Sequence, residues 1–121
     1  MIIAIPVSEN KGLDSALDPR FGRAAGFMLY TVETDKLEYV SNTQNYEAAQ
    51  GAGIQTAQNL LNQKANAVIS GLCGPKAFAV LSKAGIELFY RKGGTVKDAL
   101  EEYEAGKLTL AKDANIEGHW V

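Results

Sequence analysis

Apolar residues open the chain in an almost unbroken run, and strand-like runs follow it. Residues 1–7 read Met-Ile-Ile-Ala-Ile-Pro-Val, a pattern typical of a central strand that is covered on both faces. Residues 27–33 and 37–41 are rich in apolar and aromatic side chains and flank a short polar connection at residues 34–36. This arrangement predicts an antiparallel hairpin, so the first third of the chain is expected to be rich in strands.

Helical and strand patterns alternate in the rest of the chain. Apolar side chains recur at helical spacing between residues 48 and 64, and residues 67–70 form a short buried-strand candidate. Gly74 is expected to cap a second helix, which Gly85 ends before another strand at residues 86–90. Each predicted helix therefore lies between two predicted strands or follows one.

The last predicted helix has its own start and stop signals. Thr95 and Asp98 have the spacing of a capping box, and Gly106 follows the apolar positions of this helix. The resulting order, β-β-β-α-β-α-β-α, predicts an α/β fold with a mixed five-stranded sheet and helices on its faces. We find no internal repeat or linker, so residues 1–121 are expected to form a single domain.

Composition narrows the classes of partner. The chain has 12 Lys and Arg against 14 Asp and Glu, a net charge of -2, which argues against a large sequence-independent nucleic-acid surface. The opening apolar run is short, contains Pro6 and lacks a basic lead, so neither a secretory signal nor a membrane span is expected. One cysteine cannot form an internal disulfide. We therefore expect a cytoplasmic protein that binds neither nucleic acid nor membrane.

The first candidate site is the long polar loop at residues 8–26. Arg20 and Arg23 flank Phe21 and Gly22 in this loop. Two planar cations could approach an anionic ligand, while glycine lets the ligand come close to the backbone. The alternative is a surface turn in which the arginines only add solubility.

The second candidate site is the turn at residues 71–76, between a predicted strand and a predicted helix. Gly71 and Gly74 shape the turn around Cys73, and the amino end of a helix attracts anions and lowers the pKa of a nearby thiol. The alternative is that a lone cysteine is a small buried apolar residue. The turn is not a nucleotide-phosphate loop, because Lys76 is not followed by Ser or Thr.

The order and spacing of these segments resemble the nitrogenase-cofactor accessory family, that of NifX, NifY and the C-terminal domain of NifB. The segments that carry the resemblance are the opening strand, Gly12-Leu13-Asp14-Ser15, Phe21-Gly22-Arg23-Ala24, Ser70-Gly71-Leu72-Cys73-Gly74, Ala84-Gly85-Ile86-Glu87 and the tail Gly118-His119-Trp120. The resemblance implies a ribonuclease-H-like fold. It also implies binding of an iron-sulfur or iron-molybdenum type cluster without a catalysed reaction.

The resemblance also gives roles to individual residues. Cys73 and His119 are the candidate metal ligands, although two ligands fall short of the four that a conventional iron-sulfur cluster takes. The cluster would therefore be preformed and anionic, held partly by charge and by backbone amides. The cofactor-binding candidates are Arg20, Phe21, Gly22, Arg23, Gly71, Cys73 and Gly74.

The function expected from these residues is binding, storage or carriage of a metal-sulfur cluster or its precursor, in contact with cofactor-assembly proteins. We expect the two candidate turns to face each other across one anion-binding cleft. An alternative is a small-anion or nucleotide-binding regulatory module that uses the same turns. A metal-dependent nuclease is less well supported, because the first strand carries no carboxylate to hold divalent metal. The sequence leaves the oligomeric state open.

Overall fold

The core of the molecule is a mixed six-stranded sheet. A computed structural model of the chain describes residues 1–42 and 52–115. Within these residues the strand order is β3-β2-β1-β4-β5-β6. The strands are β1 (Ile2–Val7), β2 (Gly26–Thr31), β3 (Lys36–Ser41), β4 (Ala67–Ser70), β5 (Glu87–Tyr90) and β6 (Thr109–Leu110). The α-helices in the same ranges are α1 (Ala52–Asn62), α2 (Pro75–Lys83) and α3 (Val96–Glu104).

Strand directions place the turns of interest at one edge of the sheet. β1 pairs in parallel with β4, and β4 pairs in parallel with β5. β2 is antiparallel to both β1 and β3, and β6 is antiparallel to β5. Because β1, β4 and β5 run the same way, the loops that follow their carboxyl ends lie at the same edge, where open α/β sheets usually bind ligands.

The central strand β1 is covered on both faces, as its apolar run predicts. Side chains on successive positions of a strand point to opposite faces, and this alternation divides the core into two clusters. Ala4 joins the cluster that contains Leu60 of α1 and Leu81 of α2. Ile3 and Ile5 join the cluster that contains Val96 of α3. The helices therefore cover both faces of the sheet.

The predicted hairpin and the later helices are confirmed. β2 and β3 pair in register from Gly26 opposite Ser41 to Thr31 opposite Lys36. The capping box of α3 is present, since Thr95 and Asp98 exchange side-chain to backbone hydrogen bonds of 3.1 and 3.2 Å. α1 confirms the described part of the helix predicted between residues 48 and 64, and residues 48–51 lie outside the described ranges.

The predicted strand count is wrong by one. β6 is a two-residue edge strand, in which Leu110 pairs with Phe89 and Thr109 with Tyr90. Both residues of β6 are exposed, and two residues are too few to show a strand period. The segment is a strand because it pairs with β5, and its own sequence has no strand pattern.

No helix within residues 1–42 and 52–115 is long and apolar enough to cross a bilayer.

Candidate functional site

The two turns singled out in the sequence lie side by side. Arg20, in the loop after β1, forms a parallel β-bridge with Leu72, in the turn after β4. A methyl group built on Gly71 would lie 3.2 Å from the Cα atom of Pro19, so the two backbones are in close contact. The juxtaposition follows from the parallel pairing of β1 with β4. That this junction binds an anion stays a prediction.

Asp18 fixes the position of Arg20. The guanidinium of Arg20 donates from Nε to Oδ1 and from Nη2 to Oδ2 of Asp18, each at 3.3 Å. The Arg20 backbone N–H also donates to Asp18 Oδ1 at 2.9 Å, and Asp18 N–H donates to the Pro6 carbonyl at 2.9 Å. The Asp18 side chain is 5% exposed and that of Arg20 is 43% exposed. Arg20 is thus anchored to the end of β1 with its charge partly balanced.

Phe21 lies beneath the arginine turn. Its side chain is fully buried and meets Phe27 edge to face, with ring centroids 5.7 Å apart. The neighbouring Arg23 is half-buried. Phe21 was predicted among the cofactor-binding residues, but it has no exposed surface to offer a ligand. Its contribution is to pack the turn onto the core.

Gly22 is required for contact with a helix. A methyl group at this position would lie 2.7 Å from the backbone nitrogen of Gly53 and 3.0 Å from the carbonyl carbon of Ala52. The Gly22 carbonyl accepts hydrogen bonds from Asn42 Nδ2 at 3.2 Å and from Thr56 Oγ1 at 3.3 Å. The sequence predicted that this glycine admits a ligand. In the structure, the space beside Gly22 is occupied by the backbone of α1.

Cys73 is a buried thiol. Its exposed fraction is 0%, and burial raises the pKa of the thiol to about 12. Gly74, which precedes Pro75 at the start of α2, provides no side-chain cap. The lowering of the Cys73 pKa expected from the helix amino end is therefore wrong, because loss of solvent outweighs the helix dipole. The buried alternative describes the folded protein, and ligation through the sulfur would require the turn to open.

Asn115 holds the Cys73 turn in place, a role that no motif in the sequence predicts. Its Oδ1 accepts from Cys73 N–H at 2.8 Å, its Nδ2 donates to the Gly71 carbonyl at 2.8 Å, and its own N–H donates to the Cys73 carbonyl at 3.2 Å. Tyr90 secures the same segment, since its hydroxyl donates to the Asp113 carbonyl at 2.7 Å. An isolated asparagine in a polar stretch carries no pattern that predicts a partner so distant in sequence.

A third loop, after β5, completes this edge of the sheet. Arg91 N–H donates to the Ser70 carbonyl at 3.0 Å, which places the loop beside the Cys73 turn. Leu17 N–H donates to the Gly94 carbonyl at 3.0 Å, which ties the same loop to the arginine segment. Arg91 Nη2 also donates to Glu102 at 2.7 Å, so its charge is committed to α3. This loop was not among the predicted site segments, although the adjacent glycines Gly93 and Gly94, which both have positive φ, are a signal of a tight turn.

Metal ligands are sparse in the described part of the chain. Residues 1–42 and 52–115 contain no group of three or more His, Cys, Asp or Glu side chains that could hold a metal ion. His119, the second predicted metal ligand, lies outside the described residues. The described donors are therefore backbone amides and arginines, which suit an anion better than a bare cation.

Comparison with known proteins identifies the family. The sequence profile described as dinitrogenase iron-molybdenum cofactor matches residues 1–106. The chain belongs to this family. An uncharacterised protein of Methanocaldococcus jannaschii is 30% identical over 111 residues, which cover 89% of each chain.

Two solved structures are similar in sequence and in fold. The apo form of the orange protein from Desulfovibrio gigas is 39% identical, with a TM-score of 0.91 over 95% of this chain and 96% of that one. A candidate NifB protein from Thermotoga is 31% identical, with a TM-score of 0.83 over 97% of this chain and 98% of that one. The family and these neighbours fit a cofactor-binding or carrier role.

Proposed function

We propose that this protein binds, stores or carries an anionic iron-sulfur or molybdenum-containing cluster during cofactor assembly, without catalysing a reaction. The observation that carries the proposal is the contact between the two turns at the Arg20–Leu72 bridge. Family membership supplies the class of ligand, since the family is described by the iron-molybdenum cofactor of dinitrogenase. The ribonuclease-H-like fold that the resemblance implies, and the single domain over residues 1–121 that chain length and the lack of a linker suggest, are part of the same proposal.

Charge and backbone amides would provide most of the binding. Arg20 lies on the Cys73 turn with its guanidinium held by Asp18, so a ligand meets a cation that is already positioned. Arg23 lies in the same turn and is half-buried, where a charge-assisted hydrogen bond is stronger than in water. Gly71 and Gly74 shape the backbone that approaches the ligand. This arrangement suits a preformed cluster that is received whole.

Cys73 and His119 are proposed to bind a metal of the cluster directly, unlike the arginines and backbone amides. Cys73 is buried and tied to Asn115, so it would bind metal only after the turn opens. We therefore propose two steps. The cluster is first held by the arginines and backbone amides, and Cys73 ligates it more slowly, once the turn has opened. Partners in assembly would then deliver or remove the cluster before or after this step.

Anaerobic titration tests the proposal directly. Isolated iron-molybdenum cofactor is titrated into the wild type and into Arg23→Ala, and binding is followed by the visible absorption of the cluster. Loss of one charge-assisted hydrogen bond is expected to weaken binding roughly 10- to 100-fold. Lys83→Ala is the matched control, because it removes a cation from the last turn of α2, away from the junction. It should bind like the wild type.

The same titration separates the alternatives. Unchanged affinity in Arg23→Ala would remove the arginine turn from the site. Saturable binding of inorganic phosphate or a nucleotide, together with no binding of the cluster, would favour the small-anion regulatory module instead.

A further inference from the structure

A short segment after β6 crosses from β5 to the Cys73 turn. At its start, Ala111 N–H donates to the Leu88 carbonyl of β5 at 2.7 Å. At its end, Asn115 N–H donates to the Cys73 carbonyl at 3.2 Å. Residues 111–115, which we call the strap, therefore leave the sheet beside β5 and end on the turn that follows β4.

The side chain of Asn115 occupies backbone groups of the Cys73 turn. Its Oδ1 accepts from Cys73 N–H at 2.8 Å, and its Nδ2 donates to the Gly71 carbonyl at 2.8 Å. Cys73 immediately precedes Gly74, the N-cap of α2, where free N–H groups and the helix dipole favour an anion. A neutral carboxamide oxygen thus takes up a donor that an anionic ligand of the proposed site would otherwise use.

A single hydroxyl latches the middle of the strap. Tyr90 donates this hydroxyl to the Asp113 carbonyl at 2.7 Å. The residues of the strap are all exposed or half-buried, and its hydrogen bonds to Tyr90 and to the Gly71 carbonyl are exposed. Segments with few buried apolar contacts and exposed hydrogen bonds open at a low cost in free energy. Detachment of the strap would therefore not require the sheet to unfold.

We propose that the strap blocks the junction of the two turns until a cluster displaces it. This inference rests on the proposed function, because it concerns access to the same site. The negative charge of the cluster replaces Asn115 Oδ1 at Cys73 N–H, and the turn is then free to open around the thiol. The strap lowers the apparent affinity for the cluster, because only the fraction of protein with an open strap can bind it.

Two variants that loosen the strap test this proposal. Tyr90→Phe removes the latch hydroxyl and keeps the ring, and Asn115→Ala removes the side chain from Cys73 N–H. In anaerobic titration with isolated iron-molybdenum cofactor, each should bind about two- to tenfold more tightly than the wild type, because one lost hydrogen bond favours the open strap by that factor. Tyr30→Phe is the matched control, since its hydroxyl donates to Asp35 near the amino end of β1. It should bind like the wild type.

The direction of the change separates a strap from a supporting contact. If Asn115 only held the Cys73 turn in the shape that binds the cluster, its removal would weaken binding. A strap that competes with the cluster predicts the opposite sign.

Alkylation of Cys73 gives a second measurement that needs no cluster. Iodoacetamide should modify Cys73 faster in Tyr90→Phe than in the wild type, while Tyr30→Phe should react at the wild-type rate. Tyr90→Phe leaves the side chains of both turns and of the strap unchanged, so a faster reaction would report opening of the strap.

The two measurements distinguish failure of the strap from failure of the proposed function. Unchanged or weaker cofactor binding in either strap variant would overturn the strap alone. Equal alkylation rates in Tyr90→Phe and the wild type would also overturn it, whether or not the cofactor binds. An absence of cofactor binding in the wild type and in both variants would contradict the proposed function, and with it the claim that a cluster displaces the strap.

Discussion

Gly22→Ala tests whether the arginine turn depends on direct backbone contact with α1. The added methyl group would lie 2.7 Å from Gly53 N and 2.8 Å from Gly53 Cα. These are backbone atoms inside a helix, so no side-chain rotation can relieve the clash. Gly22 is not among the glycines with positive φ, and the expected effect is therefore steric. The turn and α1 must move apart.

The size of the effect follows from three contributions. Overpacking of a close contact costs about 1–3 kcal/mol. Movement of the turn also weakens the hydrogen bonds from Asn42 and Thr56 to the Gly22 carbonyl, each worth about 0.5–1.5 kcal/mol. Alanine also lowers the conformational entropy of the unfolded chain, which offsets about 0.4–1 kcal/mol of this destabilisation. We expect Gly22→Ala to lower the free energy of unfolding by roughly 2–4 kcal/mol.

Urea unfolding, followed by circular dichroism, measures this change. Gly71→Ala is the graded control, because its nearest atoms, in Pro19, lie at 3.2 Å and need to shift by only a few tenths of an ångström. Gly71→Ala should lower the free energy of unfolding by less than about 1 kcal/mol. A Gly22→Ala protein that unfolds within about 0.5 kcal/mol of the wild type would refute the reasoning.

Further predictions concern the thiol, a helix cap and an ion pair. Cys73 should be alkylated slowly at neutral pH, since burial raises its pKa to about 12, and Asn115→Ala should accelerate alkylation by weakening the turn; equal rates would contradict this. Thr95→Ala should reduce the free energy of unfolding by about 1 kcal/mol, while Thr95→Ser retains the cap; equal urea midpoints for the two variants would argue against a capping role. Hydrogen bonding to Arg91 holds the pKa of Glu102 below its ordinary value of 4.5. The stabilisation from Glu102 is therefore full above that value and lost as pH falls through the lower folded pKa. Urea midpoints over an acidic pH series should accordingly decline less in Glu102→Gln, and parallel declines would count against the ion pair.

Local chemistry made most of the fold predictable. The unbroken apolar run of β1 indicated a strand buried on both faces, and the polar residues between β2 and β3 indicated a hairpin. Thr95 and Asp98 form the capping box that their spacing suggests. Such signals lie within a few residues of one another, so the sequence contains them in full. β6 escaped prediction because two exposed residues have no period.

Long-range contacts explain why the candidate site was predicted only in part. The two turns were found because each follows a strand, and the parallel pairing of those strands brings them together. The burial of Cys73 and the helix contact of Gly22 depend on residues remote in sequence, as does the hold of Asn115 on the turn. Spacing within a motif cannot indicate whether a ligand or the protein itself occupies the space beside a glycine.

The most direct test of the central claim is to locate a bound cluster. Crystals of the protein grown anaerobically with isolated iron-molybdenum cofactor would be measured at the iron and molybdenum absorption edges. The account predicts anomalous density for both metals beside the Arg20–Leu72 bridge, near the amino end of α2. An ordered cluster at another surface, with this junction empty, would contradict it.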